Sequence, residues 1–301
     1  MDFKEFAAEM EKEIAIRCGE GSYVNLHKVL ADNGVRKTGI CIVQDEKQEV
    51  TPVVYLDDFF PQAEHGMSKE RVVDRIMEKL KWGGHAAEEC LAAIQKLEAW
   101  EDVRDQVYPF LLSEKQNSEM QEIFAGRKML DLDIFYMYRC EVEGMGYQRV
   151  RIKKAMLEQW GVTELEVFQQ AVENLYKDGY SVRNMGAVLR SLAPECAKAV
   201  EEAEESGAVE MYVFTNNKMN YGAAGILMGK EYFQETMGGK NFYVLPSSLH
   251  ELIFVPAERP EDGERLSRMV REVNETMLAE EEVLSDHAYY YDVEQGLMSA
   301  A

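Results

Sequence analysis

The chemically capable side chains of this chain crowd into one stretch, residues 241–256 (NFYVLPSSLHELIFVP), where Ser247, Ser248, His250 and Glu251 lie between two apolar runs. A serine, a histidine and a carboxylate suit nucleophilic hydrolysis: the imidazole takes the hydroxyl proton and the acid orients the ring. Asp286 is a second candidate acid. The spacing argues against a local triad, because neighbouring strand residues face opposite ways, which puts Ser248 and His250 on one side and Glu251 on the other. No Gly-x-Ser-x-Gly elbow accompanies them. The architectural alternative has the Ser248 hydroxyl bonding a backbone N–H of the Pro-Ser-Ser corner. On that reading His250 ties the 284–286 turn to the sheet through a charge-assisted bond to Asp286.

Two further constellations need weighing. Asn216, Tyr221 and Gly222 belong to a Thr215–Gly225 segment at a strand-to-helix junction, where free N–H groups at 221–224 could hold an anion. The small residues there equally serve close helix–sheet packing, and no Gly-x-x-x-x-Gly-Lys loop is present. His250-Glu251 lacks the second histidine of a zincin, and His27, His65, His85 and His287 are scattered singly. No metal site and no cofactor are expected.

The elements that must position these residues are short and alternate in type. The apolar spacing of Phe3, Phe6, Met10 and Ile14 predicts a first helix ending near Cys18-Gly19. A three-strand meander follows over 23–30, 35–43 and 50–55, turning at Asp32-Asn33-Gly34 and at 45–49. Ser68 opens a helix that Gly83-Gly84 should stop, and 85–100 reads as another. A strand at 103–112, a helix at 113–125, a long strand at 130–142 and a hairpin partner at 147–152 come next. Thr163 and Glu166 form a capping box for a helix to about Lys177. A helix at 193–206 precedes strand 209–214, helix 221–237 and strand 241–245, which predict a β-α-β unit with a parallel crossover. The second apolar run, 252–255, is apolar on both faces, as in a strand covered on both sides. A helix at 261–278 and a strand at 288–293 close the chain. The fold class is α+β, with mixed sheets flanked by helices. The division is into 1–126 and 127–301, where Gly126-Arg127-Lys128 has no Pro/Ser-rich linker and one continuous unit stays open.

With 33 basic and 55 acidic residues, a formal charge of -22 and 46% hydrophobic content, the 301-residue chain is a globular protein that repels polyanions, so general nucleic-acid binding is excluded. Five scattered cysteines without a Cys-x-x-Cys pair fit a reducing compartment. No apolar run approaches membrane-spanning length, so a cytoplasmic monomer or small oligomer is expected.

Several motifs, in order, carry a resemblance: Asp131-Leu132; Trp160-Gly161-Val162-Thr163 with Glu173-Asn174; Thr215-Asn216 with Tyr221-Gly222-Ala223-Ala224; Leu245–Glu251; Val270–Asn274; and Glu282–Asp286. Over nearly its whole length the chain resembles an uncharacterised bacterial family, domain of unknown function 5688. The resemblance implies a cytoplasmic Firmicutes protein, often near mobile elements, and brings no activity with it. Leu175 departs from the family's Asn-Thr pattern late in its helix, so no polar role is carried to it. The resulting expectation is a non-enzymatic binding or regulatory protein with a polar cleft among Asn216, Ser247–Glu251 and Asp286, recognising a protein or small molecule. The alternatives are a serine/histidine hydrolase and an acidic mimic of DNA.

Overall fold

The computed structural model describes residues 2–19, 21–43, 53–85, 87–142, 146–207, 209–257 and 262–301. The expected turns at 45–49 and 143–145 lie outside them. The chain forms two compact units, Met1–Asp102 with Arg139–Val150, and Val103–Tyr138 with Arg151–Ala301.

In the first unit, α1 (Phe3–Cys18) starts on a reciprocal cap. The Glu5 amide donates to Asp2 Oδ1 (2.8 Å) and the Asp2 amide to Glu5 Oε2 (3.1 Å), so two end donors are satisfied at once. Strand β1 (Tyr23–Leu30) pairs antiparallel with β2 (Arg36–Val43) from Tyr23↔Val43 to Leu30↔Arg36, and β3 (Val54–Tyr55) extends the sheet. Asn33 (φ 50°) and Gly34 (φ 70°) make the turn, both left-handed, which is why Asn-Gly suits it. Short α2 (Phe60–Glu64) leads to α3 (Lys69–His85), and the Arg71 amide donates to the Ser68 hydroxyl at 3.4 Å. Phe6, Met10 and Ile14 of α1 and Val72, Val73, Ile76 and Leu80 of α3 form one buried core. Helix α3 ends at His85, one residue past the expected Gly83-Gly84 stop. The single helix expected over 85–100 is instead α4 (Ala87–Gln95), a tight turn ending at extended Ala99, and α5 (Trp100–Val103).

The second unit begins with β4 (Val107–Ser113), buried along its whole length, and α6 (Ser118–Ile123). Strand β5 (Gly126–Met129) and β4 pair antiparallel with opposite edges of β6 (Leu132–Val142), whose residues from Arg139 on fall in the first unit together with nearly all of its partner β7 (Gly146–Arg151). Gly126 sits where a Cβ would lie 2.4 Å from the Ile134 carbonyl oxygen, so the residue there is chosen by a close strand approach. After α7 (Lys154–Trp160), the expected cap starts α8 (Glu164–Leu175), with the Thr163 amide donating to Glu166 Oε2 at 2.7 Å. Asn174 fixes α8 to β4: its buried amide donates to the Arg104 and Val107 carbonyls at 2.7 and 2.8 Å. Leu175 is buried, so no polar role falls to it.

The main sheet is built from β8 (Tyr180–Asn184), β9 (Tyr212–Asn216), β10 (Phe242–Leu245), β11 (Leu252–Pro256), β12 (Tyr289–Asp292) and β13 (Leu297–Ala300). Their spatial order is β13-β12-β10-β11-β9-β8, and every pairing in it is antiparallel. Strands β9 and β10 run the same way but do not touch. The expected parallel crossover is corrected here: β11 folds back at the Pro246–Glu251 corner and inserts between them. As the two apolar runs imply, β10 and β11 occupy the centre. One face packs Phe254 between Phe214, stacked at 4.7 Å, and Phe242, tilted at 4.5 Å between centroids. The other buries Tyr243, Leu245, Ile253 and Val255 with Leu266 and Val270 of α12 (Asp262–Met277). Helices α9 (Met185–Leu192), α10 (Ala197–Glu205) and α11 (Lys230–Thr236) complete the unit. The helix expected over 221–237 is a 3-10 segment, Gly222–Met228, and α11, broken apart at Gly229 (φ 88°). Strand β13, strand β8 and α9, all short, had no sequence expectation.

Candidate functional site

Two polar clusters form at the loops of the second unit. The first contains the residues picked from sequence. At the corner between β10 and β11, the His250 amide donates to Ser248 Oγ (3.0 Å) and the Ser248 amide to the Glu251 carbonyl (3.2 Å). The serine, 7% exposed, therefore closes a turn, as its architectural reading requires. The His250 ring does not reach it. Nδ1 accepts the Tyr221 amide at 3.2 Å, which leaves the ring proton on Nε2, 3.6 Å from Glu282 Oε1. Ser247 donates its amide to the Leu245 carbonyl, and Glu251 contributes its carbonyl oxygen.

Opposite this corner the loop after β9 is drawn in by its own polar groups. Asn216 pairs both ways with the backbone of Asn220, accepting its N–H at 3.2 Å and donating to its carbonyl at 3.0 Å. Thr215 Oγ1 donates to the His250 carbonyl at 2.7 Å. Met219 (φ 49°) and Tyr221 (φ 50°) occupy the left-handed region, which costs a non-glycine residue on the order of 1 kcal/mol each. Gly222 sits so close to the corner that a Cβ would lie 2.3 Å from Thr215 Oγ1 and 2.5 Å from the His250 carbonyl oxygen. The anion-site expectation is not supported: the Ala223 amide donates to Leu249 O (3.2 Å), that of Ala224 to Tyr221 O (3.4 Å), and that of Tyr221 to the histidine.

Asp286 belongs to the other cluster, so the expected His250–Asp286 bond is corrected. Its carboxylate pairs with Lys115 and accepts from Asn274 at 3.4 Å, and Lys115 holds its pKa below the usual carboxylate range. The centre of this cluster is Asp131, in the turn between β5 and β6. Ser285 donates to Asp131 Oδ2 (2.8 Å) and Tyr289 to Oδ1 (2.7 Å). Burial pushes the Tyr289 phenol well above its ordinary pKa, so it stays a neutral donor. With its own proton committed, Ser285 Oγ accepts from His287 Nδ1 at 3.1 Å, while His287 Nε2 lies 3.7 Å from Asp131 Oδ1. A serine, histidine and aspartate thus meet where sequence proximity gave no hint, Asp131 being 154 positions from Ser285.

Among the described residues no group of three or more His, Cys, Asp or Glu side chains comes together as a metal site, and no helix is long and apolar enough to cross a membrane. The class defined by fold and site is an α+β protein whose loops are cross-tied by side-chain-to-backbone hydrogen bonds. The chain belongs to the family of unknown function DUF5688, whose model matches residues 3–293. No curated protein and no solved structure matches it.

Proposed function

We propose that this protein acts by binding, without turnover, and that the recognising surface is the rim where the loop 217–220 meets the corner 246–251. The supporting observation is the division of labour there. Ser248, Thr215, Asn216 and the His250 Nδ1 atom spend their hydrogen bonds on backbone, holding strained Met219 and Tyr221, while Asn217, Lys218, Met219 and Asn220 stand exposed. A rigid scaffold presenting a loop is the usual construction of a recognition site. The partner fitting such a rim is a small molecule or protein segment with hydrogen-bonding groups. A thermal-shift screen of metabolites and peptides, followed by amide-shift mapping, tests this. Hits should move the amides of 217–221 and 247–250, and Asn217→Ala should weaken them without lowering the Tm of the free protein. Ester hydrolysis by the wild type that disappears in Ser248→Ala would overturn the reading.

A hydrolase remains the second reading, moved to the other cluster, because Ser285 Oγ and His287 Nδ1 lie at nucleophile–base distance. Against it, Ser285 gives its proton to Asp131 and is only 3% exposed. Turnover lost in Ser285→Ala and kept in Ser248→Ala would favour it.

A further inference from the structure

Helix α9 is amphipathic yet buries no residue completely. Between α9, α10 and the approach to β9 lies an open cleft of about 490 Å³, whose apolar lining includes Met185, Leu189, Val200, Val209 and Met211. Leu189 is 38% exposed, Val209 42%, and Leu192 at the end of α9 70%. Gly186 brings the helices together, since a Cβ there would lie 2.5 Å from Glu204 Oε1 and 2.9 Å from Val200 Cγ1. Exposed apolar side chains contiguous with a cleft mark an interaction surface.

The charge beside the cleft specifies its occupant. Glu204 and Glu210 line it, and Glu201, Glu202 and Glu205 lie on α10 beside them. Of the basic residues on these elements, Arg190 is bound by Glu204 at 3.0 and 3.1 Å and Lys198 lies 3.7 Å from Glu202. We infer that this cleft docks a cationic amphipathic helix of a protein partner, with an apolar ridge seated on Leu189, Val200 and Val209 and flanking Lys or Arg against the glutamates. Apolar anchors at i, i+3/i+4 and i+7 of such a helix supply the ridge, and charge complementarity fixes the sign of the flanks. The site is separate from the 217–220 rim, and either proposal stands without the other.

The test is fluorescence anisotropy with a labelled helical Lys/Leu peptide of about four turns, beside a scrambled peptide of identical composition and a Glu/Leu counterpart. The amphipathic cationic peptide should bind, at least about tenfold tighter than the scrambled one, since only it presents a continuous ridge. Leu189→Asp with Val209→Asp should cost about tenfold or more, both positions being exposed enough to tolerate the change. Glu201→Lys with Glu205→Lys should weaken binding and flatten its salt dependence while leaving Tm close to the wild type. Three results would overturn the inference: no binding, equal binding of the scrambled peptide, or unchanged affinity in the Leu189/Val209 variant. A dimer in light scattering that Leu189→Asp dissolves would also overturn it, by making a second copy the occupant.

Discussion

The two polar clusters of the second unit contain the same residue types and use them in opposite ways. In the 248–250 corner, a serine and a histidine two residues apart do not join side chain to side chain: Ser248 Oγ accepts the His250 backbone amide, and the His250 ring accepts the Tyr221 amide of the neighbouring loop. Around Asp131, the side chains address one another directly, and the carboxylate gathers two buried hydroxyls brought from the far end of the chain. Closeness in sequence therefore marked a turn, and distance in sequence marked convergence. The physical reason is that a tight corner leaves backbone donors without ladder partners, and the nearest polar side chains are recruited to them. Around Asp131 the local backbone is served by side chains from elsewhere, the Ser285 carbonyl by Asn274 Nδ2 and the Ala288 amide by Ser267 Oγ, so the Ser285 and Tyr289 hydroxyls remain available to the carboxylate.

The sharpest way to break this contrast is to push the corner off its loop. Gly222→Ala places a methyl group against the Thr215 hydroxyl and the His250 carbonyl, atoms that cannot retreat without undoing the knot. We expect a loss of about 3 kcal/mol in urea denaturation, the upper part of the range for overpacking. A loss below about 1 kcal/mol would mean that the loop and corner are less tightly locked than the hydrogen bonds imply. Asp131→Ala should come next, at about 2 kcal/mol, because it strands the hydroxyls of Ser285 and Tyr289, 3% and 1% exposed. Tyr289→Phe, which removes donor and demand together, should cost about 1 kcal/mol and be nearly silent in the Asp131→Ala background. Additivity of those two changes in a double-mutant cycle would show that the hydroxyl and the carboxylate are not partners.

How much of this was legible from sequence follows from the same distinction. Elements set by local signals were readable: the apolar stripe of Phe6, Met10 and Ile14, the Asn33-Gly34 turn, the Thr163 cap, and the two-faced apolar run of β11 that placed it at the sheet's centre. The turn-closing role of Ser248 was readable too, because it is a contact within two residues. What escaped depends on tertiary choice. Nothing between 216 and 252 says that β11 will insert beside β9 and hold β10 apart from it. The insertion brings the His250 ring to the Tyr221 amide, whereas Asp286 is held by Lys115 and Asn274 from other elements, so the two residues expected to pair are apart in the fold. Strand β8 and α9 meet directly at Asn184-Met185 with no loop between them, and Gly186 lies inside α9 instead of marking its edge, so the punctuation that makes short elements visible is misplaced there.

A middle-sized effect separates the two histidine assignments. His250→Ala should cost about 1 kcal/mol, having removed the acceptor of a partly buried amide, and Ser248→Ala about the same, as for a lost helix cap. In cycles read by denaturant melts, His250→Ala should couple to Glu282→Ala and be additive with Asp286→Ala. Coupling to Asp286 instead would restore the bond that sequence suggested and dissolve the distinction between the clusters.

The smallest effect tests whether the second cluster reaches outward as well as inward. Lys115 pairs with Asp286 at the surface, their side chains 65% and 47% exposed, so Lys115→Ala should lower stability by only about 0.5 kcal/mol at neutral pH and low salt. The pairing depresses the folded-state pKa of Asp286, chiefly through the lysine's hydrogen bond and against an opposing effect of burial. A carboxylate whose pKa is lower folded than unfolded adds stability that is complete above the unfolded value, about 3.9, and is lost as pH falls through the folded one. The gap between wild type and Lys115→Ala should accordingly be constant from pH 7 to about pH 5, then close as Asp286 takes up its proton, and shrink with added salt. A gap that stays open at pH 2 would assign the lysine's contribution to its packed methylene stem instead. The cluster would then be an inward clamp with no electrostatic link to the surface.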